Sequence, residues 1–333
     1  MSASHGRDVA GAEAKPRFLF RASSNQSRGG PKGNTLTTVD PLARSQTVDY
    51  HSCLAAIPRS RARSMLEHHF LWHYEHDSEF SSWSTSLLWV LVHTIRKQVI
   101  RHDTNILIYV LDTAGVEDNR IHSALKLLEV FNLGHHEQLL EYCKGEYLVH
   151  RLLRATMGFK AVKLEKVTHA GLYEVFPDLQ SSAAAGHLYL RVRDHLRPLY
   201  FDRIWPLSYA EVLGLKRHGQ CFGGTWEAVM TIAFLGMRRH RGESNRVQTL
   251  IAGLQYLPVR PAPTCTPTRS TISNESEQDS PEAQKFGALL NSLYGAISEK
   301  KKSTDVLTQI DDLVIGVETL GSKYKRNSWT TSS

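Results

Sequence analysis

Several familiar signatures are absent from this 333-residue sequence, and each absence removes a class of protein. No apolar run approaches the roughly 20 residues that a membrane-spanning helix needs, and the N-terminus lacks the apolar segment of a signal peptide. The four cysteines, Cys53, Cys143, Cys221 and Cys265, lie far apart without a CxxC pair, which indicates neither a zinc ribbon nor a disulfide framework. We therefore expect an intracellular protein, cytoplasmic or nuclear, with no membrane association.

Common catalytic motifs are also missing. There is no P-loop, no GxGxxG after a strand and no GxSxG; His136 and Glu137 begin an HExxH motif, but Leu140 stands where the second histidine belongs. His69 and His73 have the i, i+4 spacing of two metal ligands, although the sequence places no third ligand beside them. Core or surface histidines are the more common explanation, and we expect no metal.

Composition indicates a folded core with polar margins. Hydrophobic residues make up 41% of the chain, and 40 basic against 33 acidic residues give a net charge of +7, which favours anionic ligands without identifying one. We predict an α+β fold with a mixed sheet and a helical C-terminal extension. The predicted organisation is a disordered leader at 1–16, a sheet domain at 17–175, a helical extension at 176–258, a disordered linker at 259–282, and a helix with a basic tail at 283–333.

Hydrophobic patterning within 17–175 predicts alternating strands and helices. Strands are expected at 17–24, 105–113, 145–153 and 158–167, and helices at 58–75 and 120–131. The run NILIYVLDT at 105–113 is continuously apolar, which is typical of a buried strand.

Residues 79–98, EFSSWSTSLLWVLVHTIRKQ, place five hydroxyl residues just before an apolar helix that starts near Leu87. One explanation is an N-cap, in which a Ser or Thr side chain accepts hydrogen bonds from free backbone N–H groups. A cap needs one hydroxyl, however. The others leave room for a short strand that presents alternate hydroxyls to a cleft, and both explanations stay open.

Three motifs occur in a recognisable order: Arg21 at the end of the first strand, Ser84-Thr85-Ser86 before a helix, and Glu146 at the start of a later strand. This order resembles the Arg-Ser-Glu ADP-ribosyltransferases, the enterotoxin-like class, in which the STS strand leads into a helix and then a hydrophobic strand before the glutamate. The resemblance covers about 17–170. The blocks FRASS, EFSSW and EYL are also similar to an uncharacterised fungal domain family, which implies no activity.

The resemblance implies that NAD is the substrate and that no metal takes part. Glu146 would stabilise the positive charge that develops when the nicotinamide–ribose bond breaks, and would hold a ribose hydroxyl. Ser84 would hydrogen-bond Glu146 and position it. Arg21 would hold the NAD diphosphate or ribose through its planar fork of donors.

Secondary roles follow from the same resemblance. Thr85 and Ser86 would support the strand beside the NAD, and Trp83 would wall the nicotinamide pocket by stacking, although an aromatic residue here more often belongs to the core.

The acceptor of ADP-ribose stays open. Family members that modify arginine carry Gln or Glu two residues before the catalytic glutamate, and here that position is Lys144, which cannot accept the required hydrogen bond. Another acceptor, such as a protein side chain, or simple NAD hydrolysis remains. The competing hypothesis is an inactive fold that binds a protein or, with weaker support, nucleic acid. In that case Arg21 is a surface charge, Ser84 a helix cap and Glu146 a solvent-facing residue.

Overall fold

Six strands form the antiparallel sheet at the centre of the computed structural model, which describes residues 15–43, 50–73, 76–134, 137–182, 190–240, 245–258 and 280–301. The strands lie in the order β5-β6-β3-β1-β4-β8. Their bounds are β1 (Phe18–Ser23), β3 (Phe80–Ser84), β4 (Leu107–Asp112), β5 (Ile121–Ser123), β6 (Glu146–His150) and β8 (Phe159–Lys163). A second, two-stranded sheet pairs β2 (Thr38–Val39) with β7 (Leu153–Arg154). The fold is thus mixed α/β, with an antiparallel sheet and C-terminal helices.

The sheet opens between two of its central strands. β1 pairs with β4 along its whole length, and β3 pairs with β6 from Phe80↔His150 to Ser84↔Glu146. Between β1 and β3, by contrast, the pairing is confined to Phe20↔Ser84. The two halves of the sheet therefore part on one side of this pair, and polar side chains occupy the opening.

Alternate side chains of β1 pack into cores on the two faces of the sheet. Phe18 and Phe20 point into the core formed with the helix at Leu87–Val99 and the C-terminal helices, whereas Leu19 packs on the other face with Trp83 and Tyr109. β4, buried along its whole length, is the continuous apolar run that the sequence shows, whereas β1 is apolar only up to Arg21.

The described helices fall between the strands of the sheet region and after it. The first eight are α1 (Gly30–Gly33), α2 (Arg59–Phe70), α3 (Leu87–Val99), α4 (Ala124–Val130), α5 (Glu137–Tyr142), α6 (Leu164–His169), α7 (Leu172–Val175) and α8 (Pro177–Ser182). A π-helical segment, Arg191–Leu196, leads into α9 (Arg197–Phe201), followed by α10 (Tyr209–Phe222), α11 (Glu227–Gly236) and α12 (Asn245–Leu254). The last described helix, α13, covers 281–301.

Both explanations of the hydroxyl cluster are correct, at different residues. Phe80–Ser84 is a strand, and Ser86 is the N-cap of α3, accepting from the backbone N–H of Trp89 at 3.0 Å. The chain spends two residues turning from strand to helix, so the hydroxyls divide between a sheet face and a helix terminus.

Several predicted boundaries are wrong for local reasons. α2 ends at Phe70, before 75, because Trp72 takes a left-handed conformation (φ 62°) that breaks the helix. The segment predicted as one strand at 145–153 is interrupted after His150, since Arg151 is also left-handed (φ 72°). The predicted strand at 158–167 ends at Lys163, and the following residues form α6; likewise 120–131 begins as strand β5 before α4.

The C-terminal helices share one core with the sheet. Phe286 of α13 lies 6.0 Å from Phe18 and 5.7 Å from Phe20, ring centre to ring centre. The predicted linker therefore ends earlier than expected, because helix α13 begins at 281, within the predicted 259–282 segment. The rest of that segment, 259–279, lies outside the described residues, as do 1–14 of the predicted leader and 302–333 of the predicted helix and basic tail.

Among the helices of the described ranges, none is both long enough and apolar enough to cross a membrane.

Candidate functional site

The three residues that define the sequence motif lie on three neighbouring strands. Glu146 is the first residue of β6, Ser84 is the last residue of β3, and Arg21 lies within β1. These strands are consecutive in the sheet, and Ser84 stands directly opposite Glu146 in the register. Residues more than sixty positions apart in the sequence therefore meet at the opening of the sheet.

Arg21 bridges this opening. Its guanidinium donates from Nη1 to the backbone carbonyl of Ser82 on β3 at 2.8 Å, and from Nη2 to the side-chain oxygen of Asn34 at 3.3 Å. Only 8% of the residue is exposed. The positive charge thus sits inside the cleft between the strands, where low solvent access strengthens its effect on neighbouring ionisable groups.

A tight turn delivers Glu146 to the cleft. The backbone N–H of Glu146 donates to the carbonyl of Cys143 at 3.0 Å, and Gly145 within this turn has φ +70°. A side chain at Gly145 would also approach the hydroxyl of Thr85 to 2.7 Å. Glycine is therefore required by both the backbone conformation and the close packing.

Burial dominates the electrostatics of Glu146. Desolvation raises the pKa of its carboxyl group to about 7, although hydrogen bonds with Ser82 and Cys143 and the charge of Arg21 act in the opposite direction. Burial also raises the pKa of the Cys143 thiol, reinforced by Glu146, so this cysteine stays protonated and serves as a donor to the carboxylate. At neutral pH the site consequently holds a carboxyl group that is balanced between its two protonation states.

Ser82, rather than the predicted Ser84, supplies the hydroxyl that hydrogen-bonds the Glu146 carboxyl group. Ser84 lies opposite Glu146, but its hydroxyl accepts from the backbone N–H of Ser86 at 3.1 Å. The two serines are two residues apart on one strand and share a face, so strand alternation was the signal that could have found Ser82.

His69 is the second residue whose place beside Glu146 the sequence interpretation missed, although its spacing from His73 had been noted. From α2, its Nε2 lies 2.8 Å from the hydroxyl of Ser82, and its Nδ1 lies 2.9 Å from the hydroxyl of Ser78. Burial, together with the charges of Arg28 and Arg21, lowers the pKa of His69 to about 3, so the ring is neutral. With both ring nitrogens engaged by serines, His69 is not arranged as a metal ligand, and no trio of metal-binding side chains is found among the described residues.

Trp83 does not wall a pocket beside Glu146. Strand alternation points it to the opposite face of the sheet, where it is 1% exposed, packs against Tyr109 at 6.1 Å and donates its Nε1–H to Ser81. The predicted stacking role is therefore wrong, and the core explanation is correct.

Thr85 and Ser86 brace the site without lining it. The backbone N–H of Thr85 donates to the carbonyl of Gly145 at 2.9 Å, which ties the end of β3 to the turn before Glu146. The hydroxyl of Ser86 donates to the buried carboxylate of Glu282 at 2.5 Å, and Arg197 donates to the same carboxylate at 2.9 Å. The second half of the STS motif thus anchors α13 to the sheet domain.

Lys144, two residues before Glu146, faces solvent. Its ammonium group pairs with Glu141 at 2.7 Å on the turn that follows α5. It is a donor only, as the sequence interpretation assumed.

A cavity of about 260 Å³ lies on another side of α2. None of Arg21, Ser84 and Glu146 lines it; its walls are Leu42, Arg61, Ser64, Met65, His68, His76, Asp77 and Glu79. The case for chemistry at Glu146 therefore depends on the arrangement around the open strands and not on this cavity.

Comparison with known proteins finds a family match for part of this chain. Residues 14–164 match the model of a family described as a domain of unknown function, DUF7587. The matched range is a little under half of the chain; it contains the whole six-stranded sheet and the three motif residues. No curated protein and no solved structure matches the chain.

Proposed function

We propose that this protein takes NAD as a substrate and cleaves the bond between nicotinamide and ribose, in the manner of an Arg-Ser-Glu ADP-ribosyltransferase. One observation carries the proposal. Glu146, Ser84 and Arg21 lie on the adjacent strands β6, β3 and β1, in the order that the family resemblance implies, with Ser84 opposite Glu146.

The chemistry needs a fixed negative charge near the ribose. When the bond between the ribose carbon and the nicotinamide nitrogen breaks, its electron pair leaves with nicotinamide, and positive charge develops on the sugar. In this proposal the Glu146 carboxylate stabilises that charge, and the hydrogen bonds with Ser82 and Cys143 fix its orientation. A preorganised carboxylate of this kind spends no energy on reorientation during the reaction.

Arg21 is the proposed contact for the NAD diphosphate or ribose. Its guanidinium is inside the cleft and already oriented by Ser82 and Asn34. An arginine fork matches two phosphate oxygens better than a lysine does, because its donors are planar and fixed.

The final acceptor in this proposal is water or a side chain other than arginine. Lys144 is exposed and paired with Glu141, so the position that activates an arginine acceptor in the family carries a cation. A bond from the ribose carbon to water would make the protein an NAD glycohydrolase, and a bond to a protein side chain would make it a transferase. We place the activity inside the cell, in the cytoplasm or nucleus, in keeping with the free thiols of Cys53, Cys143 and Cys221.

The second candidate is a catalytically inactive module that binds a protein or nucleic acid. It is favoured by the hydrogen bonds that Arg21 already makes within the protein, to Ser82 and Asn34. Net charge of +7 suits a polyanion. Binding of a generic oligonucleotide that weakens steeply with salt, in a protein that leaves NAD intact, would favour this candidate.

The deciding experiment measures nicotinamide release from NAD by purified wild-type protein and by Glu146→Gln. The substitution removes the negative charge and preserves the shape of the side chain. Glu129→Gln is the matched control, because its side chain is 70% exposed on α4. We expect turnover in the wild type and in the control, and its loss in Glu146→Gln. A folded wild type with no turnover, and no rise in melting temperature with NAD, would refute the proposal.

A further inference from the structure

A line of polar side chains connects α2 to Glu146. The ring of His69 makes hydrogen bonds with Ser78 and Ser82, and the Ser82 hydroxyl in turn acts on the Glu146 carboxyl group and favours its ionised form. The residues come from α2, the segment before β3, β3 itself and the start of β6. Among the described residues, His69 is the one residue of α2 whose side chain hydrogen-bonds Ser82.

When Glu146 is ionised, its carboxylate can only accept, and this fixes the direction of the other hydrogen bonds in the line. Ser82 then donates to Glu146 and accepts from Nε2–H of His69, so Nδ1 of His69 accepts from the hydroxyl of Ser78, whose oxygen also accepts from the backbone N–H of Phe80 at 3.3 Å. A neutral imidazole that accepts at Nδ1 carries its proton at Nε2, and this proton is donated to Ser82 at 2.8 Å. The single proton of the Ser82 hydroxyl then points to Glu146, whose ionised form can only accept.

We propose that His69 is a positioning residue for Glu146 and acts through Ser82. By occupying a lone pair of the Ser82 oxygen, the His69 N–H holds the hydroxyl proton toward the carboxylate and so favours its ionised form. The part of this inference that concerns catalysis rests on the proposed function, whereas the effect on the ionisation of Glu146 does not depend on any activity.

The charges around the line support a neutral relay. The positive charge of Arg21 lowers the pKa of both His69 and Glu146, and the charge of Arg28 lowers the pKa of His69. These two guanidinium groups and burial disfavour a second proton on His69, so its ring stays a one-proton donor between two serines. Cys143 is the remaining ionisable group that contacts the carboxyl group.

The test is a carbon-13 NMR titration of the Glu146 carboxyl group, assigned by its loss in Glu146→Gln. Ser82→Ala removes the direct donor and should raise the titration midpoint by about one pH unit, the size expected for a hydrogen bond to a charged group. His69→Phe removes the ring nitrogens and should raise it by roughly half as much. His69→Gln, which can keep an N–H donor near the position of Nε2, should return it toward the wild-type midpoint.

A double-mutant cycle separates positioning from a general structural effect. Since His69 acts through Ser82, adding His69→Phe to Ser82→Ala should move the midpoint no further. His122→Phe is the matched control: this ring lies 6.3 Å from Phe80, as the His69 ring does, and burial also keeps it neutral. This control should leave the Glu146 midpoint unchanged.

Two outcomes would overturn the inference. One is an unchanged midpoint in His69→Phe; the other is an equal shift with and without Ser82. If His69→Phe fails to fold, His69→Gln alone is measured. A midpoint in His69→Gln that shifts as far as was expected for His69→Phe would count equally against the inference, because Gln can keep the N–H donor. Nicotinamide release gives a separate readout, with kcat lowered in His69→Phe and restored in His69→Gln. Absence of turnover in the wild type would refute the proposed function alone, because the NMR titration still decides the role of His69.

Discussion

Replacing Glu146 by Gln should stabilise the protein above neutral pH. In the folded state, burial raises the pKa of this carboxyl group from 4.5 to about 7. In the unfolded chain the group ionises near 4.5. Between these values the folded protein keeps a proton that the unfolded chain has released, so the stability contributed by the protonated form is complete below pH 4.5 and is lost as the pH rises through 7.

The magnitude follows from the two pKa values. The interval from 4.5 to about 7, at 1.36 kcal/mol per pH unit, corresponds to about 3 kcal/mol of lost stability above pH 8. Gln has no charge to bury, so the variant escapes this loss. Its amide N–H₂ group meets the donors of Ser82 and Cys143, which costs about 1 kcal/mol at every pH. The change with pH is therefore a cleaner measure than the absolute difference.

The assay is denaturant unfolding of both proteins at a series of pH values from 4.5 to 8.5. Subtracting the two curves cancels the titration of all other groups. The difference in the free energy of unfolding, variant minus wild type, should rise by about 3 kcal/mol across this range. Glu129→Gln on the exposed side of α4 should change stability by less than about 0.5 kcal/mol throughout. A flat or falling difference for Glu146→Gln would show that the carboxyl group is not desolvated as described.

This result bears directly on the proposed function. If Glu146→Gln is more stable than the wild type at pH 8 and yet releases no nicotinamide, the lost turnover cannot come from unfolding. A charge retained against its own burial is typical of functional sites, where stability is given up for chemistry. Turnover itself should increase as the pH rises through about 7, since the reaction needs the ionised carboxylate.

Two further predictions concern stability. Burial lowers the pKa of His69 and of His93 to about 3, below the ordinary 6.5. The stability that these residues contribute above pH 6.5 is therefore lost as the pH falls toward 3, and at pH 4.5 the loss is about 5 kcal/mol for the pair, visible as a lower denaturation midpoint. Protonation of either ring in the folded state above pH 5, followed by NMR titration, would contradict this prediction. Glu282→Ala removes the acceptor for Ser86 and Arg197 and should cost about 2 to 3 kcal/mol in urea unfolding, whereas a loss below about 0.5 kcal/mol would mean that α13 is not anchored there.

The local elements near the motifs were largely predictable from the sequence. The apolar run at 105–113 contains β4, the periodic apolar residues from Leu87 form α3, and the strand that contains Arg21 is β1. The boundaries that failed depend on single backbone conformations. Trp72 and Arg151 adopt left-handed φ values that could not be predicted from their residue types, which rarely take this conformation. Tertiary packing compensates for the local strain.

Sequence order and residue type, by themselves, determined that Arg21, Ser84 and Glu146 belong to three successive motifs, each in or beside a short segment typical of a strand. They could not determine which hydroxyl meets the carboxylate. That choice depends on the opening between β1 and β3 and on the approach of α2, which brings His69 against Ser82. Contacts between residues distant in the sequence arise only when the sheet is assembled, and desolvation of Glu146 arises with them. The protonation state of the site is accordingly a property of the tertiary structure.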